Sequence, residues 1–107
     1  MTARLLPHDA VRRIQQRTAD AFGVRLDDIL MSDRRRKYVR PRQAAMYLAC
    51  WLTPYKAAFL GRLFHRDRTT VLHGADRAII HMAYEPDFSD RVNGLLCALS
   101  DELGGAG

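Results

Sequence analysis

Arg66, Asp67, Arg68, Thr69 and Thr70 stand together in the stretch HRDRTTVLHG, and an apolar run follows at once. Their types suit a polyanion whose edges can be read. Arginine donates a two-pronged pair of hydrogen bonds to guanine, and threonine packs its methyl on that of thymine. Asp67 can accept from a cytosine amino group, or it can cap a helix. A helix N-terminus with a threonine hydroxyl beside it favours phosphate. The same residues also suit the solvated first turn of an ordinary capped helix, so the surrounding elements must decide.

A second group lies upstream. Arg34, Arg35, Arg36 and Lys37 are four consecutive cations in SDRRRKY, which has no apolar residue before Tyr38. Such a loop repels itself unless an anion meets it, and an arginine from it can enter an AT-rich minor groove. Arg40 and Arg42, beside the expected start of a helix, and Lys56 further on suit phosphate contacts.

Catalysis has little support. His8, His65, His73 and His81 make no metal-ligand spacing with carboxylates or cysteines, and His73 and His81 lie too far apart to share a metal alone. Asp27 and Asp28 are adjacent and point apart. Ser32 and Ser89 have no glycine-flanked elbow, and no glycine loop cradles phosphate. No enzyme, metal or cofactor is expected. Met46, Tyr47, Trp51 and Tyr55 are read as packing and groove-edge residues.

The positioning elements are helical. In residues 7–22, Val11, Ile14, Thr18, Ala21 and Phe22 recur at spacings of three and four; His8 or Asp9 is the expected cap, and Gly23 the stop. RLDDILM, residues 25–31, adds one or two turns, with Leu26, Ile29 and Leu30 inward. A third helix is expected from near Pro41, because proline suits a first helical turn, and Pro54 ends it. YKAAFLGRLF is a short fourth helix and HRDR a turn. A fifth helix follows Asp67 as its cap, with Val71, Ala75, Ala78 and Met82 in one stripe widened by Leu72 and Ile79. Pro86 opens a sixth, carrying Phe88, Val92, Leu95, Leu96, Leu99 and Leu103. The short fourth helix, the turn and the fifth form a helix-turn-helix, which lays the start of its second helix in the major groove. The fold class is all-α: about six helices in one domain over residues 1–107, ordered over about 8–103, with a flexible tail at 104–107.

Charge agrees with a polyanion partner. The 107 residues carry a net +5, but residues 34–68 carry +9 and the remainder −4. No apolar run approaches a membrane span and no secretory signal opens the chain. Cys50 and Cys97, each in an apolar stretch, are read as reduced core residues. The expected location is the cytoplasm, at the nucleoid.

VRPRQAAMYLACWLT followed by LGRLFHRDRTTVLHGADRAI closely resembles the C-terminal DNA-binding domain family of the bacterial replication initiator DnaA. The resemblance runs from about Val11 to Leu99. It implies an all-helical, Trp-repressor-like domain that binds double-stranded DNA at DnaA boxes. By position it implies Arg36 as the minor-groove arginine, with Arg35 as competitor. It implies phosphate contacts from Arg42 and Gln43, and base reading from Asp67, Arg68, Thr69 and Thr70.

Three departures accompany it. No ATPase domain precedes the segment, so nucleotide-dependent filaments and origin melting are not expected. The family's signature histidine is Arg68, which prefers guanine and alters the expected site there. The turn before the fifth helix is one residue shorter, which implies a changed tilt. The reading is a freestanding, sequence-specific regulator of transcription or replication. Its alternative is a protein-interaction module, a degenerate DNA-binding fold that meets an acidic partner or DnaA itself.

Overall fold

The structure, a computed structural model, describes residues 5–104. Six helices follow in order: α1 (Pro7–Phe22), α2 (Leu26–Leu30), α3 (Arg36–Leu52), α4 (Ala57–Leu63), α5 (Arg68–Tyr84) and α6 (Pro86–Glu102). No strand forms among the described residues. The expected tail lies, beyond Gly104, outside them.

Local signals set most of the boundaries. Pro7 and Pro86 occupy first turns, where a missing N–H costs no helical bond. Pro7 itself is the first residue of α1, so Leu6 takes the cap position in place of the expected His8 or Asp9. Gly23 ends α1 at φ 68°, a left-handed conformation open to glycine without strain. Its N–H and that of Val24 satisfy carbonyls of Asp20 and Ala19.

α3 is the central helix and touches all the others. Ala44, Ala45 and Ala49 let its neighbours approach closely, and a side chain in place of Gly74 on α5 would strike the Met46 sulfur. Val11 and Ile14 of α1, Leu48 of α3, Leu60 of α4, Val71 and Ala78 of α5, and Val92 and Leu99 of α6 converge as a buried core.

Several expectations are corrected. α3 begins at Arg36, not near Pro41, so Arg36, Lys37 and Arg40 are helical and the loop shrinks. Proline at the sixth position forfeits a bond to the carbonyl of Lys37, an exposed residue. The early turn closes through the N–H groups of Tyr38 and Val39 on the Arg35 carbonyl. Cations at a helix N-terminus oppose its dipole, and α3 has no acid in its first turn. Glu85, at the junction of α5 and α6, supplies that charge by accepting from Arg36 at 3.1 Å and Arg40 at 2.9 Å. Leu72 and Ile79 face solvent because α5 buries only the side that carries Val71, Gly74, Ala75 and Ala78. Trp51 is exposed and stacks on Tyr47. Cys97 is exposed and Cys50 half-buried, and both are free.

Candidate nucleic-acid interface

The helix-turn-helix is built from α4, the four-residue turn Phe64–Asp67 and α5. Phe64 is fully buried and anchors the turn. His65 takes a left-handed φ of 57°, and the Arg66 N–H returns to the Gly61 carbonyl at 2.8 Å. The turn runs so close over α4 that a Cβ on Gly61 would lie 2.5 Å from the Arg66 carbonyl oxygen and 3.0 Å from the Asp67 carbonyl carbon. Those are backbone atoms, so glycine is what allows the crossing.

Asp67 caps α5, as its sequence position predicts. Its carboxylate accepts from the Thr70 N–H at 2.8 Å, and that bond holds its pKa below the ordinary value. Arg68, Thr69 and Thr70 then stand exposed on the first turn. This is a helix end with free donors and readable side chains at its tip.

The α2–α3 segment is held against this end by two inward-turned arginines. Arg42 is only 7% exposed. Its Nε donates to the Ile29 carbonyl at 3.0 Å, Nη2 to Asp28 at 2.8 Å and Nη1 to Asp33 at 2.9 Å. Arg66 donates through Nη1 to the carbonyls of Phe64 at 2.6 Å, Ile29 at 3.3 Å and Leu30 at 3.4 Å, and through Nη2 to Met31. Burial pulls both guanidiniums below their usual pKa, and their mutual repulsion adds to the effect on Arg42. The reward is that carbonyls at the end of α2, which have no helical partner, gain donors. This changes the expected task of both residues. Their nitrogens are spent on the chain's own carbonyls, so they position the interface from within. Arg66 also fastens the α2–α3 loop to the turn that starts α5.

The other cations differ in how free they are. Arg35 clasps Asp33 through Nη2 at 2.8 Å and lies over the Tyr38 ring. That hydrogen-bonded partner lowers the Asp33 carboxyl to about 2. Lys37 lies over the same ring at 4.9 Å. Arg36 and Arg40 share Glu85. Arg34 is exposed and makes no hydrogen bond or ion pair with the described residues. Gln43 is half-buried on α3, and its Oε1 is buried without a hydrogen-bond partner among the described residues. Lys56 is exposed at the N-cap of α4, with no hydrogen bond or ion pair joining it to the loop. The structure thus ties the end of α2, from which the Arg34–Arg35 loop leaves, to the turn before α5, and leaves Lys56 on its own element.

Gly61, His65, Asp33 and Glu85 escaped the sequence reading. Asp33, two residues before Arg35, carried a local signal, since aspartate readily bonds a backbone N–H two positions on. Gly61 sat inside a helical run, and Glu85 acts across 49 residues of chain on Arg36.

The family described as the bacterial DnaA protein helix-turn-helix matches residues 11–78, the span that holds the basic loop, the turn and most of α5. The chain belongs to this family. It is 47% identical over 68 residues to the chromosomal replication initiator protein DnaA of Ruegeria pomeroyi, covering 63% of this chain. It is 40% identical over 81 residues to that of Cereibacter sphaeroides, covering 75% of this chain. With the Gluconobacter oxydans protein it shares 37% identity over 92 residues, 82% of this chain. The matched parts span 14%, 18% and 19% of those relatives' own lengths. The six-helix architecture is accordingly that of a DnaA-type helix-turn-helix domain, the DNA-binding part of that family. No helix among the described residues is long and apolar enough to cross a membrane.

Proposed function

We propose that this chain binds double-stranded DNA sequence-specifically, at sites resembling DnaA boxes, and regulates transcription or replication initiation by occupying them. Arg68, Thr69 and Thr70 enter the major groove and read base edges. Asp67 holds the helix start that aims them. Arg34 enters the adjacent minor groove, replacing Arg36 and Arg35 in that role, because it is the loop arginine with no partner of its own. Arg35, Lys37, Gln43 and Lys56 meet phosphates.

The observation that carries this reading is the Arg66 bridge. It ties the end of α2, from which the loop bearing Arg34 leaves, to the turn that presents Arg68, so the segments carrying the proposed minor-groove and major-groove readers share one joint. Repeated selection of duplexes from a random pool tests it, followed by titration of the enriched duplex over a range of salt. A defined motif should emerge. Its affinity should fall with a log–log slope of roughly −3 to −5, from Arg34, Arg35, Lys37 and Lys56, the four cations that this reading sets against the duplex backbone and minor groove. A pool that never converges would remove sequence-specific binding, and a flat salt response would remove the basic surface from the mechanism.

A further inference from the structure

Glu85 is fixed at both sides. Its N–H donates to the His81 carbonyl at 2.8 Å, ending α5, and its carbonyl accepts from Ser89 at 2.9 Å, starting α6. Pro86 follows it directly. The backbone beneath this carboxylate is thus held from both sides.

That carboxylate carries two arginines of unequal freedom. Arg40 grips it with both Nε at 3.2 Å and Nη2 at 2.9 Å, and its side chain is only 20% exposed. Arg36, one turn earlier on α3, touches it through Nη2 alone at 3.1 Å and is 71% exposed. His81 Nδ1 stands 3.5 Å from the same oxygen. A carboxylate and a phosphate diester offer a guanidinium the same thing, anionic oxygens that accept its N–H groups. Arg36 therefore has an anion already, at the edge of a surface where Arg34, Lys37 and Arg68 make no ion pair with the described residues.

We propose that Glu85 is an internal competitor for DNA phosphate: it withholds Arg36 and so sets the sequence-independent part of duplex affinity. Arg40 is the fixed half of the device and keeps the carboxylate in place. Arg36 is the half that would reach phosphate if released. A lower non-specific affinity leaves base reading by α5 with a larger share of the binding energy, which is what discrimination among competing sites needs. The inference rests on the DNA-binding reading above.

The test uses the 107-residue chain and a duplex of scrambled sequence, titrated at several salt concentrations. Glu85→Gln keeps an acceptor for Arg40 while removing the charge. It should steepen the log–log slope by about 0.9, one released phosphate contact, which is about a 3.5-fold greater loss of affinity over a fourfold rise in salt. Arg36→Ala alone should leave the wild-type slope unchanged. In the double variant the extra slope should vanish.

Three outcomes would overturn the inference: an unchanged slope in Glu85→Gln, extra slope that survives in the double variant, or a wild-type slope already flattened by Arg36→Ala. The last arm alters an exposed side chain and stands whether or not Glu85→Gln folds well. A wild-type chain that binds no duplex at all defeats the DNA-binding reading as well, whereas the three outcomes above leave that reading standing.

Discussion

Arg42 and Arg66 share one acceptor: Nε of the first lies 3.0 Å, and Nη1 of the second 3.3 Å, from the carbonyl oxygen of Ile29. Two like charges converge there because α2 is five residues long and most of its carbonyls have no helical partner. The end of a helix is also its negative pole. The arrangement joins α3 and the helix-turn-helix turn through the end of α2, and the basic loop inherits its position from that joint.

Arg42→Ala should therefore behave first as a stability variant. It strips donors from three carbonyls and leaves a buried gap, at a cost of about 2–4 kcal/mol. Arg42→Lys should recover little, because an ammonium cannot reproduce a planar fork aimed at three acceptors. Thermal melting checks both. A variant that melts like the wild type but binds all duplexes more weakly would return Arg42 to the phosphate role its sequence position suggested.

Gly61→Ala should destabilise the protein by about 1–3 kcal/mol, since the new methyl meets backbone that has to move. Gly94→Ala is the control. It has nothing within 4 Å of the added atom and lies inside α6, so it should stabilise by about 0.4–1 kcal/mol. Opposite shifts in melting temperature are expected. Equal shifts would mean that the tight crossing over α4 is not what Gly61 provides.

Arg34→Ala should lose most affinity on sites with an AT-rich flank, where the narrow minor groove concentrates negative potential. Arg36→Ala should show no dependence on the flank. Binding to paired duplexes that differ in flank alone decides it. Flank dependence in Arg36→Ala, with none in Arg34→Ala, would restore the earlier expectation for the minor-groove residue.

Arg68→His should shift base preference at one position of the site and leave its neighbours intact. The exposed guanidinium at the start of α5 is suited to guanine, and a good two-pronged contact is worth about 1–3 kcal/mol of discrimination. Thr69→Ala should act at an adjacent position, a thymine. The measurement is a binding series over all four base pairs at each position. Matching profiles that differ only in overall affinity and salt slope would make Arg68 a phosphate clamp.

The elements that sequence displays well are those whose causes are local. The Asp67 cap, the Gly23 stop and the proline at the start of α6 each act within a few residues, and all three occur as their sequence positions predict. The stripe Phe88, Val92, Leu95 and Leu99 has a single apolar face, so its period alone says which side is buried. The motif of residues 66–73 likewise announces itself, because a recognition helix concentrates its chemistry in one turn.

Tertiary structure decided what the cations do. Sequence shows ten Lys and Arg between residues 34 and 68, all of one type of charge, and assigns none of them an acceptor. The acceptors come from afar: carbonyls 9–14 residues from Arg42, carbonyls up to 37 residues from Arg66, and Glu85 for Arg36 and Arg40. The same distant carboxylate accounts for α3 starting before Pro41. On α5, apolar residues occur on more than one side, so periodicity admits Leu72 and Ile79 to the core stripe, and packing against α3 excludes them. A long, flexible, permanently charged side chain can end in solvent, on a carbonyl or on a phosphate with little change in local preference. Its destination is set by which oxygen the fold brings within reach.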